Sequence, residues 1–190
     1  MTASASLRRN ARARRIFDLL KENFVSCYNH FIMKISPIKQ RDDSACGPTV
    51  IQMVLNYFGV RHTFKEIASI SEYREKDGLS NADLVRTLKK FNLDVKERAN
   101  ARWGNLIRYN AEKKVIVVSW MLGGYIGHFS VVEKVGKNFI KLADPHTGTV
   151  VKMDKIMFMR LWMDYDDMWY PKKNTDIQLR WMGIVSKKKA

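Results

Sequence analysis

Apolar positions along this chain change their period about halfway. From Ile16 they recur as Leu20, Phe24, Tyr28 and Phe31, a helical stride that predicts an amphipathic helix over 16–36, stopped by Ser36-Pro37. A second helix starts in "CGPTVIQMVLNYFG", where Pro48 suits a first turn and Gly59 a C-terminal stop. "HTFKEIASI" starts a third, with Thr63 and Glu66 at capping-box spacing. "LSNADLVRTLKKFN" gives a fourth, capped by Ser80, striped by Leu84, Val85 and Leu88, and closed at Asn92.

The second half reads differently. "LDVKER" predicts a short strand and "WGNLIRYNAEK" a helix or turn. "KVIVVSW", "HFSVVEKV" and "NFIKLAD" follow, β-branched and aromatic runs punctuated by Gly123-Gly124, Gly136 and Pro145. "TGTVVKM" predicts a further strand, "DKIMFMRLW" returns to helical spacing, and "RWMGIVS" predicts an edge strand. Helices first and antiparallel strands after them define an α+β domain, with no internal repeat.

Length and composition narrow this picture. A chain of 190 residues suits one domain with an appendage. Hydrophobic residues at 46%, among them five Trp, seven Tyr and nine Phe, supply a sizeable core and exclude bulk disorder. The net charge of +15 sits unevenly: five arginines lie between Arg8 and Arg15, and Lys187, Lys188 and Lys189 close the chain. Residues 1–15 and 187–190 therefore read as basic tails around a domain over 37–186, solvated by default. An anionic membrane surface or nucleic acid is the alternative partner for those tails.

No apolar run reaches the roughly 18 residues of a membrane span, and the N-terminus has no signal-peptide core. Its Arg-rich start, without an acid before Asp18, has transit-type composition. Cys27 and Cys46 are too few for a disulfide framework, so a reducing, cytoplasmic setting is expected, with membrane association through the tails as its variant. The four histidines have no metal-ligand spacing, so neither a metal nor a cofactor is expected.

Candidate chemistry centres on Cys46. A thiol attacks as thiolate, and a helix N-terminus favours that form through its unpaired N–H groups and dipole. Gly47 lets backbone or substrate pass close by, and Gly-Pro pins the turn into the helix. The required base must be near in space, not in sequence. His128 follows the glycine-rich "GGYIG" and begins a strand, whereas His62 lies in a loop and His30 near the end of an apolar helix. Asp144 opens "DPHTG" just after the adjoining strand. A hairpin across "EKVGKN" brings His128 and Asp144 to one edge of the sheet, where the carboxylate can orient the imidazole. The competing readings are ordinary ones: a packed thiol, a buried strand histidine and an Asp-Pro turn. Cys27 reads as a buried thiol, His146 as loop surface and Asp42-Asp43 as turn residues. The Met- and Trp-rich "MFMRLWMDYDDMWYPKK" reads as core, with an adhesive surface as its alternative.

In order, "Q-x5-C-G-P", "H-F-x-V-V" and "A-D-P-x-x-G" resemble the C39-type cysteine peptidases, papain-like domains that trim double-glycine leader peptides. The likeness runs from about Pro37 to Trp162 and includes "GLSNADLVRTLKKFNLDV". It implies a papain-like fold with N-terminal helices packed on an antiparallel sheet, and a peptide or protein substrate. It implies Cys46 as nucleophile, His128 as base, Asp144 as orienting acid, and Gln40 as oxyanion donor with the N–H of Cys46. Three positions depart from the family pattern: Ala45 where an acid is common, Thr49 where a smaller residue is, and Ser130 inside the apolar run behind His128. No ABC transporter segment follows in this chain, so coupling of cleavage to export is not implied. An acyl transferase or amidase on the same residues, or a non-catalytic peptide-binding module, are the other functions this pattern allows.

Overall fold

The computed structural model describes residues 34–165 and 171–188. The Arg8–Arg15 cluster, Cys27, His30, Lys189 and the helix expected over 16–36, up to residue 33, lie outside the described residues. Residues 34–36 are not helical; Pro37 disfavours helical backbone in the residue before it.

Among the described residues, three helices come first: α1 (Cys46–Tyr57), α2 (Phe64–Ser71) and α3 (Asn81–Lys90). The expected capping box at Thr63 forms, and the expected cap Ser80 turns out to be part of a second box. Thr63 and Glu66 close the start of α2, and Ser80 does the same for α3 with Asp83 as its partner. Gly59 and Asn92 leave their helices with positive φ, at 79° and 60°.

The strands are β1 (Leu93–Arg98), β2 (Val115–Leu122), β3 (Ile126–Val135), β4 (Phe139–Asp144) and β5 (Thr149–Asp154). Helix α4 (Trp103–Ala111) separates β1 from β2, and α5 (Lys155–Leu161) follows β5. A small antiparallel pair, β6 (Met163–Tyr165) and β7 (Ile177–Leu179), precedes the last strand, β8 (Met182–Lys187).

The main sheet is antiparallel and runs β1-β8-β2-β3-β4-β5. Strand β8 is thus not at the edge, as "RWMGIVS" had suggested, but between β1 and β2. Its apolar residues explain the place: Met182, Ile184 and Val185 are all buried, which requires cover on both faces. One face of the sheet, with Ile116, Val118, Trp120, Val132 and Leu142, packs on Trp103 and Leu106 of α4, Phe158 of α5 and Trp162. Elsewhere α1 lies against β3, and α3 against β1.

The Met- and Trp-rich stretch divides accordingly. Phe158 and Trp162 are core and Met157 is exposed, while residues 166–170 of the stretch lie outside the described residues. No helix among the described residues is long and apolar enough to cross a membrane.

Candidate active site

Cys46 is the first residue of α1 and is buried. Ala45 precedes it as N-cap, so no side chain caps this helix, and its first turn carries no acid. Thr49, fully buried, donates its hydroxyl to the carbonyl of Ala45 at 2.7 Å and braces the first turn. Gly47 is needed for space: a Cβ there would stand 2.9 Å from Cβ of Leu79, in the Gly-Leu segment that leads into α3.

His128 lies on β3 and Asp144 ends β4. These strands pair antiparallel, Val131 opposite Ala143, so the next step along brings Ser130 beside Asp144 and leaves His128 just beyond. The imidazole Nε2 is 2.6 Å from Asp144 Oδ1, and both side chains are 3% exposed. The expected hairpin therefore does join the two groups.

Burial works against the charged imidazole. Hydrogen bonds to Asp144 and to the Cys46 side chain, together with their negative charge, outweigh it and push His128 up to about 9. Burial likewise opposes the Asp144 carboxylate, but the hydrogen bond and charge of His128, the N–H of His146 and the hydroxyl of Thr147 hold it below its usual range. With Nε2 on the carboxylate, the other ring nitrogen is left for the thiol.

Gln40 reaches the site through a turn, not through a helix or strand. The "DPHTG" turn closes with the N–H of Gly148 on the carbonyl of Asp144 at 2.9 Å, and the N–H of Gln40 donates to the carbonyl of Pro145 at 2.9 Å. Gly148 has φ +69°, and a Cβ on it would lie 2.8 Å from Cβ of Lys39. The same short turn thus ends the Asp144 strand and clasps the Lys39-Gln40 segment.

The Gln40 amide is buried. Its Nε2 donates to the carbonyl of Asp42 at 2.6 Å, and its Oε1 has no hydrogen-bond partner among the described residues. The loop from Gln40 to Cys46 is held by Asp42, whose carboxylate accepts from Tyr73 at 2.6 Å and from the hydroxyl and N–H of Ser44 at 3.0 and 3.1 Å. Burial opposes charge on Asp42, yet these donors keep it below the usual carboxylate range; burial and that same bond push Tyr73 up to about 12.

Cys46, His128 and Asp144 are brought together, with the Gln40 segment tied to the turn after Asp144. His146 is exposed, its ring centroid 6.3 Å from that of His128. His62 packs on Phe91 at 4.6 Å, away from this cluster, and Asp43 is exposed. Sequence reading missed the loop anchor Tyr73, which no local motif marks, and the hydrogen-bonding partners of Ser130.

A helix that opens on a thiol, facing an antiparallel sheet that carries an imidazole–carboxylate pair, defines the papain-like α+β class. The peptidase C39 family matches residues 34–172, most of the chain, and the protein belongs to that family of peptidases. Solved structures agree on the fold. The peptidase domain of Streptococcus ComA, a bi-functional ABC transporter involved in a quorum-sensing pathway, superimposes with a TM-score of 0.64 at 19% identity, covering 81% of this chain and 99% of that one. A double-glycine-motif protease from an AMS/PCAT transporter, in complex with its leader peptide, gives 0.63 at 16% identity over 84% and 96%. The Streptococcus mutans ComA peptidase domain gives 0.55 at 18% over 80% and 98%. No curated protein matches in sequence.

Proposed function

We propose that this protein is a thiol peptidase that cuts a peptide bond after a glycine pair, using Cys46, His128, Asp144 and Gln40. The observation that carries this reading is the meeting of a helix-first thiol with a buried imidazole–carboxylate pair 2.6 Å apart. The C39 family match and the related protease in complex with a leader peptide support the substrate class.

The sulfur of Cys46 attacks the amide carbonyl carbon while His128 takes the thiol proton. Negative charge develops on the carbonyl oxygen. The second N–H of the Gln40 amide and the N–H of Cys46 are its donors. The C–N bond then breaks, His128 passes its proton to the leaving amine, and the acyl group stays on Cys46 as a thioester. Water attacks that thioester, His128 accepts a proton from it, and collapse releases the carboxylic acid and the thiol. Asp144 keeps the imidazole oriented and balances its positive charge throughout.

The test is cleavage of a synthetic peptide containing a glycine pair, read by mass. Two fragments whose summed mass exceeds the substrate by one water are expected, and Cys46→Ala should yield none. Cleavage by Cys46→Ala at the wild-type rate would remove the nucleophile from the account. A transferred acyl group or a deamidated peptide would keep the nucleophile and change the reaction.

A further inference from the structure

We propose that Ser130, oriented by Trp120, is a positioning residue that fixes where the proton sits in the Asp144–His128 pair. This rests on the role given to that pair above. Trp120 Nε1 lies 3.0 Å from Ser130 Oγ. An indole nitrogen only donates, so Ser130 accepts there and its own proton must point elsewhere. Among the described residues, the acceptor it meets is Asp144 Oδ1, at 3.5 Å. The direction of the chain is thereby set: Trp120 donates to Ser130, and Ser130 to Asp144.

That same Oδ1 accepts the N–H of His146 at 3.2 Å and faces His128 Nε2 at 2.6 Å. These two donors, Ser130 and His146, help hold Asp144 as a carboxylate, which only accepts, so the imidazole must bring the proton to the bond it shares with Asp144. His128 is therefore held with its proton on Nε2, and Nδ1 is left to exchange a proton with Cys46. Trp120 stands opposite His128 across β2 and β3, ring centroids 5.5 Å apart at 82°, so the indole that orients Ser130 also walls the imidazole. Ser130 is fully buried and Trp120 nearly so, which keeps water from supplying a competing donor. Among the described residues, the titratable groups facing the imidazole are Cys46 from α1, Asp144 at the end of β4 and His146 in the turn after it.

The test compares the full chain carrying Ser130→Ala, Ser130→Thr or Trp120→Phe with wild type. Nitrogen-15 NMR of the histidines through a pH titration reads the His128 tautomer and midpoint without any substrate. Neutral His128 in wild type and Ser130→Thr should carry its proton on Nε2, whereas Ser130→Ala should show mixed tautomers and a moved midpoint. In peptide cleavage, Ser130→Ala should lower kcat about tenfold, the size of one hydrogen bond to a charged group, with KM unchanged and the pH profile displaced. Ser130→Thr should restore both. A wild-type tautomer and pH profile in Ser130→Ala overturns the proposal, whatever happens to its melting temperature. If Ser130→Ala does not fold, Trp120→Phe decides: mixed tautomers support the relay, and a wild-type pattern overturns it. Should wild type cleave no peptide, the peptidase reading fails, while the NMR comparison still decides the role of Ser130.

Discussion

The Gln40 side chain carries an orphan: Oε1 is buried without a partner among the described residues, while Nε2 is fixed on Asp42. An unpaired buried polar atom costs about 1–3 kcal/mol, so an amide kept here for stability alone is a poor choice. Gln40→Leu, similar in shape, should leave stability unchanged or raise it, by urea unfolding. It should also lower kcat by about 10²–10³, the usual loss of one oxyanion donor, in steady-state cleavage. A large fall in stability with kcat intact would make Gln40 a structural residue. Cys46, His128 and Asp144 were legible as candidates because each stands beside a signal for backbone geometry, Gly-Pro, a glycine run and Asp-Pro, whereas Gln40 came only from the family resemblance, through its spacing to the cysteine. Ser130 was visible only as a break in an apolar run. Its partner Trp120 lies ten residues away across a hairpin, and only the strand register reveals the pair.

At the scale of elements, the turn after β4 is the joint on which the site depends. It ends the Asp144 strand, and the carbonyl of Pro145 fixes the N–H of Gln40. Gly148→Ala forces a side chain into left-handed backbone and against Lys39. The expected loss is about 1–3 kcal/mol in urea unfolding, accompanied by slower cleavage as the Gln40 segment is displaced. Unchanged stability and activity would show that the turn tolerates a Cβ and that the clasp is not tight. Capped helices were readable because a cap is local, and those at Thr63 and Ser80 both formed. The place of β8 was not readable from its neighbours in sequence. It enters the sheet between β1 and β2, strands that precede it by long stretches of chain, and only its double-sided burial marks it as central.

Across the whole molecule, the buried pair makes stability depend on pH in a defined direction. His128 is raised from 6.5 to about 9 on folding, so its contribution is complete below the unfolded value and is lost as pH climbs through about 9. Asp144 is lowered from 3.8, so its contribution is complete above that value and is lost as pH falls through the lower, folded one. The melting temperature of wild type relative to His128→Gln should therefore be highest between these limits and decline as pH rises from 6.5 to 9. A flat difference across that range would mean that the imidazole holds no extra proton in the fold. The claim on which the function turns is narrower: His128 activates Cys46. It is tested most directly by the rate of iodoacetamide labelling at mildly acidic pH, resolved by mass spectrometry into Cys27 and Cys46. In wild type Cys46 should label faster than in the unfolded chain, and His128→Gln, which keeps a donor for Asp144, should abolish that advantage. Equal labelling of Cys46 in both proteins would contradict the account, leaving a peptidase fold whose thiol is not activated by its imidazole.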